Sequence, residues 1–354
     1  MGWVAEKPGA PIVRWMRDQE PGPKEVVVQV AGCGVCHTDL GFYYDGVPTR
    51  HPFPLILGHE VSGTVIAAGP GTETLVGRSV IVPAVIPCGE CPACRAGHGS
   101  ICPEQIFPGC DVHGGFASHL VVPARGLCPV PDLADRRHNP AGLDLASLSV
   151  IADAVSTPYQ AIVRSGLAAG DLAIFVGAGG VGGFGVQIAA ARGAHVVAID
   201  VDPARLELSA RYGRATTLNA AEKDFKAIRN AIRAAAEERG IPTWRQKIFE
   251  TSGTPRGQET AFGLVGQGGY LGVVGFTPEK IELRLSNLMA FDATVQGNWG
   301  CVPEHYPAIV DLVLAGKVAL APFIEKRPLA TINETFADLH ARRATRRLIL
   351  IPEQ

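Results

Sequence analysis

The chain has 354 residues, 47% of them hydrophobic and 19% charged, with a formal net charge of −2. That length favours two domains, and the composition is ordinary for a globular, core-forming protein. So balanced a charge gives no electrostatic case for nucleic acid or an anionic membrane as the main partner.

Met1-Gly2-Trp3-Val4-Ala5-Glu6-Lys7-Pro8 has no basic stretch leading into an apolar one, so no secretory signal is expected. Glu25-Val26-Val27-Val28-Gln29-Val30 reads as a strand. Leu55 to Ala67 and Arg78 to Val82 add short apolar runs broken by Gly and Pro. The first part is therefore β-rich with long loops, and the chain turns polar and loop-like from Pro131 to Gly142. Leu172-Ala173-Ile174-Phe175-Val176 is a buried strand, followed by a glycine turn and an alanine-rich helix up to Arg192. The uncharged run Leu172 to Ala191 is long enough to raise a membrane question, but its glycines favour strand, turn and helix. His195 to Asp200 is the next strand. Pro203 opens a helix with Asp202 as N-cap, and Glu222 to Arg239 is a second helix stopped by Gly240. Lys247 to Glu250 and Tyr270 to Phe276 read as later strands. Strands alternating with helices imply a doubly wound parallel sheet.

The nine cysteines are clustered, which favours metal over disulfides and a cytoplasmic setting. Cys88-x2-Cys91-x2-Cys94-x7-Cys102 puts four sulfurs in one loop. Four soft ligands with no open position suit a structural zinc; a redox Cys-x2-Cys is the alternative. Cys33, Cys110, Cys128 and Cys301 lack ligand spacing. Gly177-Ala178-Gly179-Gly180-Val181-Gly182 follows a strand and opens a helix, the context in which backbone amides receive a dinucleotide pyrophosphate. Asp200 ends the next strand, eighteen residues after Gly182. A carboxylate there accepts from a ribose 2′-hydroxyl and repels a 2′-phosphate, so NAD is expected over NADP.

Cys36, His59 and Asp153 are too far apart for spacing to unite them. Their local sequences are more telling. Gly-x-Cys-His-Thr-Asp, Gly-His-Glu, the four-cysteine loop, Ala-Asp-x3-Thr-Pro and Gly-x-Gly-x-x-Gly occur in that order. The order resembles the zinc-dependent medium-chain dehydrogenase/reductase family across essentially the whole chain. The resemblance implies a GroES-like catalytic domain over residues 1–153, a Rossmann NAD-binding domain over 154–296 and a return to the catalytic domain over 297–354. It implies two zinc ions per chain, the catalytic one on Cys36, His59 and Asp153 with Glu60 beside it. Thr38 matches the hydroxyl that passes the substrate proton outward. Relatives often carry a relay His five residues after the ligand Cys, where this chain has Gly41. His37 matches a basic position near the cofactor phosphates, Arg205 an adenosine-ribose contact and Thr157 a neighbour of the nicotinamide. Val274, Phe276 and Asn298 match positions near the carboxamide, and Arg347 a pyrophosphate partner. A homodimer or homotetramer is expected, as the family's cofactor-domain edge often pairs between subunits.

Four segments narrow the resemblance: Ala31 to Leu40, His113 to His119, Leu285 to Phe291 and Gly297 to Cys301. They look like the 6-hydroxycyclohex-1-ene-1-carbonyl-CoA dehydrogenases of anaerobic benzoyl-CoA degradation. That branch usually has His after the Phe291 position, where this chain has Asp292. The substrate it implies is a small molecule bearing a CoA thioester, with Arg50, Arg95 or Arg284 available to its phosphates. The alternative is a free cyclic or aromatic alcohol, and of lower weight an enone reductase or a redox sensor on the same fold.

Overall fold

The computed structural model describes residues 1–16 and 20–353. The chain opens with a short antiparallel pair, β1 (Gly2–Val4) and β2 (Val13–Trp15). β3 (Glu25–Gly34) then runs for ten residues and leads into α1 (His37–Tyr43). β4 (Glu60–Ala68), β5 (Ser79–Val82), α2 (Pro92–Arg95) in the cysteine loop, β6 (His119–Pro123) and β7 (Cys128–Pro129) follow. A 3-10 segment, Ala146–Ala152, leads to α3 (Ser156–Arg164). Next come β8 (Leu172–Val176), α4 (Gly182–Ala191), β9 (His195–Asp200), α5 (Pro203–Gly213), β10 (Thr216–Asn219) and α6 (Phe225–Glu238). They are followed by β11 (Gln246–Glu250), α7 (Pro255–Leu264), β12 (Tyr270–Val273), α8 (Ser286–Phe291) and β13 (Thr294–Gly297). α9 (Tyr306–Leu314), β14 (Ile324–Pro328), α10 (Ile332–His340) and β15 (Arg347–Ile351) close the chain.

Two compact units result: residues 1–156, 300–316 and 323–354 in the first, 157–299 and 317–322 in the second. In the first, the described strands other than the β1-β2 pair form a mostly antiparallel sheet ordered β14-β15-β3-β4-β5-β7, with β6 also paired to β3. Its core joins Val26, Val28, Val61, Val80 and Leu348 with Phe116 and Phe336. In the second, the parallel sheet is ordered β10-β9-β8-β11-β12-β13. That is the doubly wound dinucleotide-binding order, with the switch point between β8 and β11. All five residues of β8 are buried. Helices on both faces of a parallel sheet explain a continuous apolar run where one-sided burial would give alternation.

Local chemistry shifts several boundaries. The run from Leu55 becomes strand only at Glu60, because Leu57 and Gly58 give their carbonyls to the amides of Phe116 and Gly115 (3.0 and 2.8 Å). The helix expected from Glu222 starts at Phe225, where the Asp224 carboxylate accepts from the Ala227 amide at 2.7 Å. Asn219 holds the preceding turn, accepting from the Ala221 amide at 2.9 Å. The strand expected to reach Phe276 stops at Val273, since the Val274 and Gly275 amides turn to the Glu250 carbonyl (2.9 and 3.0 Å). Asp202 caps α5 by accepting from the Ala204 amide at 2.8 Å. The run Leu172 to Ala191 is strand, turn and helix, and no helix among the described residues is long and apolar enough to cross a membrane.

Candidate active site

Cys36 follows β3 and sits at the N-cap of α1 in extended conformation. The Asp39 carboxylate closes that helix start, accepting from the Cys36 amide at 2.9 Å through Oδ2. Its Oδ1 accepts from the Gly58 amide at 3.1 Å and lies 3.3 Å from Nδ1 of His59. One buried carboxylate thus holds the Cys36 turn and stands against the His59 ring. Such a carboxylate behind an imidazole selects the tautomer that leaves Nε2 free. Asp39 was not assigned a role from the sequence; its position three residues after Cys36, the capping-box spacing, is the signal that could have found it.

His59 is buried, and neither ring nitrogen makes a hydrogen bond. Nε2 faces Asp153 Oδ2 at 3.6 Å, and Cys36 Sγ lies 3.7 Å from the same oxygen. Burial works against a charged ring, but Asp39 and Asp153 outweigh it and hold the His59 pKa well above its usual value. Thr38 Oγ1 lies 3.6 Å from Cys36 Sγ, and the Phe107 ring stands 4.8 Å from the His59 ring. The donor atoms of Cys36, His59, Glu60 and Asp153 all fall within 4.8 Å of one another. A sulfur, an imidazole nitrogen and carboxylate oxygens converging on one point, around a buried His without hydrogen bonds, fit a zinc site.

Glu60 and Arg347 form a fully buried pair behind this set, with Arg347 Nε donating to Glu60 Oε2 at 3.0 Å and Nη2 to Oε1. Burial pushes the Glu60 carboxyl up while Arg347 works against it; burial also opposes the Arg347 charge, but Cys36 and Glu60 keep its pKa well above normal. Arg347, expected at the cofactor pyrophosphate, is thus buried against Glu60, with Nη2 also 3.9 Å from Asp153. A Cβ at Gly34 would collide with the Glu60 carboxylate, so only glycine there admits this pair.

The four cysteines of the α2 loop also converge. Cys91 Sγ lies 3.5 Å from Cys94 Sγ and 3.7 Å from Cys102 Sγ, and Cys88 to Cys94 is 3.9 Å. Zn–S bonds of about 2.3 Å in a tetrahedron place sulfurs about 3.8 Å apart, so the loop fits zinc closely. The Cys94 N–H, with the neighbouring Cys94, Cys102 and Cys88 side chains, brings the Cys91 thiol down to about 7, while burial pushes Cys94 up to about 12. None of the nine cysteines forms a disulfide.

In the second unit, Gly177 turns the chain at φ +97°, where a Cβ would strike the Ser252 backbone. Thr251 Oγ1 donates to the Gly177 carbonyl at 2.6 Å. The Gly183 amide bonds to the Gly179 carbonyl at 2.8 Å, which turns Gly180, Val181 and Gly182 into the start of α4. Asp200, at the end of β9, accepts from the Ala178 amide at 2.7 Å and from the Val201 and Asp202 amides at 2.8 and 3.0 Å. Arg205 pairs with Asp200 at 3.9 Å and Asp202 at 3.6 Å. Asn298 donates to the Thr157 carbonyl at 3.2 Å. Val274 and Phe276 follow β12, and Phe276 is exposed. In the first unit, His37 is exposed as the first residue of α1. Of the arginines considered for CoA, Arg50 is engaged by the Gln105 carbonyl at 3.3 Å and by Asp111 at 3.6 Å. Arg95 and Arg284 are exposed.

A β-rich unit with two metal-ligand sets, joined to a doubly wound dinucleotide fold, defines a zinc-type dehydrogenase. Residues 22–132 match the alcohol dehydrogenase GroES-like domain, and residues 180–315 match the zinc-binding dehydrogenase domain. An alcohol dehydrogenase of Geobacillus stearothermophilus is 30% identical over 92% of this chain and 91% of its own. The L-galactonate-5-dehydrogenase of Escherichia coli (strain K12) is 28% identical, over 89% and 88%. The crystal structure of galactitol-1-phosphate dehydrogenase from Escherichia coli aligns with a TM-score of 0.86 at 26% identity, covering 99% of both chains. The chain belongs to the zinc-dependent medium-chain alcohol dehydrogenase family. It is an oxidoreductase acting on CH–OH groups, and its two ligand sets are suited to zinc.

Proposed function

We propose that this enzyme oxidises a secondary ring alcohol, 6-hydroxycyclohex-1-ene-1-carbonyl-CoA, to the conjugated 6-oxo thioester with NAD. The observation that carries alcohol oxidation is the convergence of Cys36, His59 and Asp153 beside Thr38. A zinc ion there would supply Lewis acidity, which lowers the pKa of a bound water from 15.7 to about 7, or ~12 kcal/mol. NAD would accept the hydride.

The chain's own residues do the rest. Asp39 orients the His59 ring through Nδ1. Glu60, held by Arg347, stands next to the three ligands and within reach of the same point. The Phe107 ring covers His59 and helps exclude water. Thr38 Oγ1 accepts the substrate hydroxyl proton and passes it outward, with no His at position 41 to continue the relay. The turn from Gly177 to Gly182 receives the pyrophosphate, and Asp200 with Arg205 takes the adenosine ribose. A cytoplasmic setting, expected from cysteines that cluster as metal ligands, belongs to this reading.

The ring substrate rests on the likeness of the four segments named above. A second reading, a polyol or another free alcohol, is favoured by the galactonate and galactitol phosphate named for two relatives. The test compares kcat/KM for the hydroxy-enoyl-CoA with that for the same acid lacking CoA, cyclohexanol, benzyl alcohol and L-galactonate. Remote CoA contacts would contribute to orientation, so the thioester should lead by orders of magnitude. A free alcohol matching it would remove the CoA assignment and leave the generic dehydrogenase.

We also propose a homo-oligomer. β13 is one of the two edges of the parallel sheet, and all four of its residues are exposed. Leu285 and Met289 of the adjoining segment are 69% and 78% exposed. An exposed edge strand beside exposed apolar side chains is suited to pairing with a second copy about a twofold axis.

A further inference from the structure

We propose that the Tyr306 hydroxyl is a positioning group for the catalytic metal set, acting through the turn that carries Asp153. This rests on Asp153 being a metal ligand.

Tyr306 is the first residue of α9 and is fully buried. The buried face of that helix is otherwise apolar, with Ile309, Val310, Val313 and Leu314. A phenylalanine would serve that packing, so the hydroxyl needs its own account: buried without a partner it would be destabilising. It has a partner far away in sequence. The Tyr306 hydroxyl donates to the Ala152 carbonyl at 2.5 Å, across 154 residues. The same carbonyl accepts from Ser156 Oγ at 3.2 Å and the Ala84 amide at 3.3 Å, and Ser156 Oγ lies 3.3 Å from the Tyr306 oxygen.

Three donors therefore converge on the peptide that enters Asp153. The peptide that leaves it is held too: the Ala154 amide donates to Glu60 Oε1 at 3.0 Å, and Glu60 is fixed by Arg347. Asp153 sits between these clamps at φ −144°, ψ −59°, outside helical geometry. Its side chain is 15% exposed, less enclosed than those of His59 and Glu60. Packing constrains this carboxylate less than its neighbours, so the backbone on either side sets its aim. Glu60 already belongs to the metal set. Among the described residues Tyr306 bonds to Ala152 and Ser156 and to no ligand side chain.

The test is Tyr306→Phe, which deletes one oxygen and keeps the ring. Chelator-driven zinc release, the visible spectrum of the cobalt(II)-substituted enzyme, kcat, and NAD affinity are measured beside wild type. Loss of a supporting partner typically costs about 10–100-fold in metal affinity or activity. The expected result is release of one of the two zinc ions about 10–100-fold faster, with a shifted cobalt band and a lower kcat. NAD affinity and the zinc of the cysteine loop stay unchanged. Wild-type release and a wild-type cobalt spectrum would overturn the proposal. Asp153→Asn separates the two levels: if it keeps both zinc ions at wild-type affinity, the ligand assignment itself falls. If it loses one and Tyr306→Phe loses none, only the role of the hydroxyl falls. Should Tyr306→Phe not fold, Ser156→Ala removes a donor to the same carbonyl, and wild-type metal retention there overturns the proposal as well.

Discussion

At the residue scale, the metal set depends on groups that never touch the ion. Asp39 is fully buried, and its acceptors are taken by the Cys36 and Gly58 amides with His59 Nδ1 close by. Replacing it by asparagine keeps the shape and removes the charge. Asp39→Asn should therefore leave the circular dichroism spectrum intact while lowering kcat about 10–100-fold. Steady-state rates at saturating NAD and alcohol would measure this. A kcat within twofold of wild type would mean that His59 is oriented by its own packing.

At the element scale, the end of β11 holds a buried acid with a distinct effect on stability. Glu250 accepts through Oε1 from the Ser252 amide and hydroxyl (2.8 and 2.6 Å), while Oε2 is buried without a hydrogen bond. Its carbonyl meanwhile takes the Val274 and Gly275 amides, so one residue ties together the loops that follow β11 and β12. Burial raises the Glu250 pKa above the ordinary 4.5, since the charged form loses solvation. The folded state then binds its proton more tightly than the unfolded chain. The resulting contribution to stability is full below about 4.5 and is lost as pH rises through the folded value. Glu250→Gln, which does not titrate, should lose less stability than wild type between pH 4.5 and neutrality. Denaturant midpoints at several pH values would show it. Parallel curves for the two proteins would place the ionisation of Glu250 at its unfolded value.

At the scale of the whole molecule, the exposed β13 edge makes assembly testable. Wild type should sediment as a multiple of the 37.2 kDa chain. Leu285→Glu with Met289→Glu should shift it toward the single chain, because charge on both sides of a twofold contact repels. Sedimentation velocity would read the change. A wild-type protein that sediments as one chain at micromolar concentration would end the proposal.

Local order carried much of this protein's chemistry. The four cysteines of the α2 loop lie within fifteen residues, so their spacing alone announced a closed metal loop. The glycine turn was legible for a similar reason, since strand, turn and helix are adjacent in the chain. Asp202 and Pro203 announced the start of α5 because capping is satisfied within one helical turn. What folding decided was proximity between distant segments. Cys36, His59 and Asp153 had no common spacing, and only β3, β4 and the turn after Ala152 bring their donor atoms within 4.8 Å. Arg347 and Tyr306 illustrate the same limit. Each is an unremarkable residue in its own stretch, and each acquires its partner across 287 or 154 positions. Even the short stretch Lys317–Pro322 joins the second unit, where Gln187 accepts from the Ala319 amide at 2.7 Å. Hydrogen bonds of this kind depend on where a side chain points after packing, and no local pattern encodes that direction.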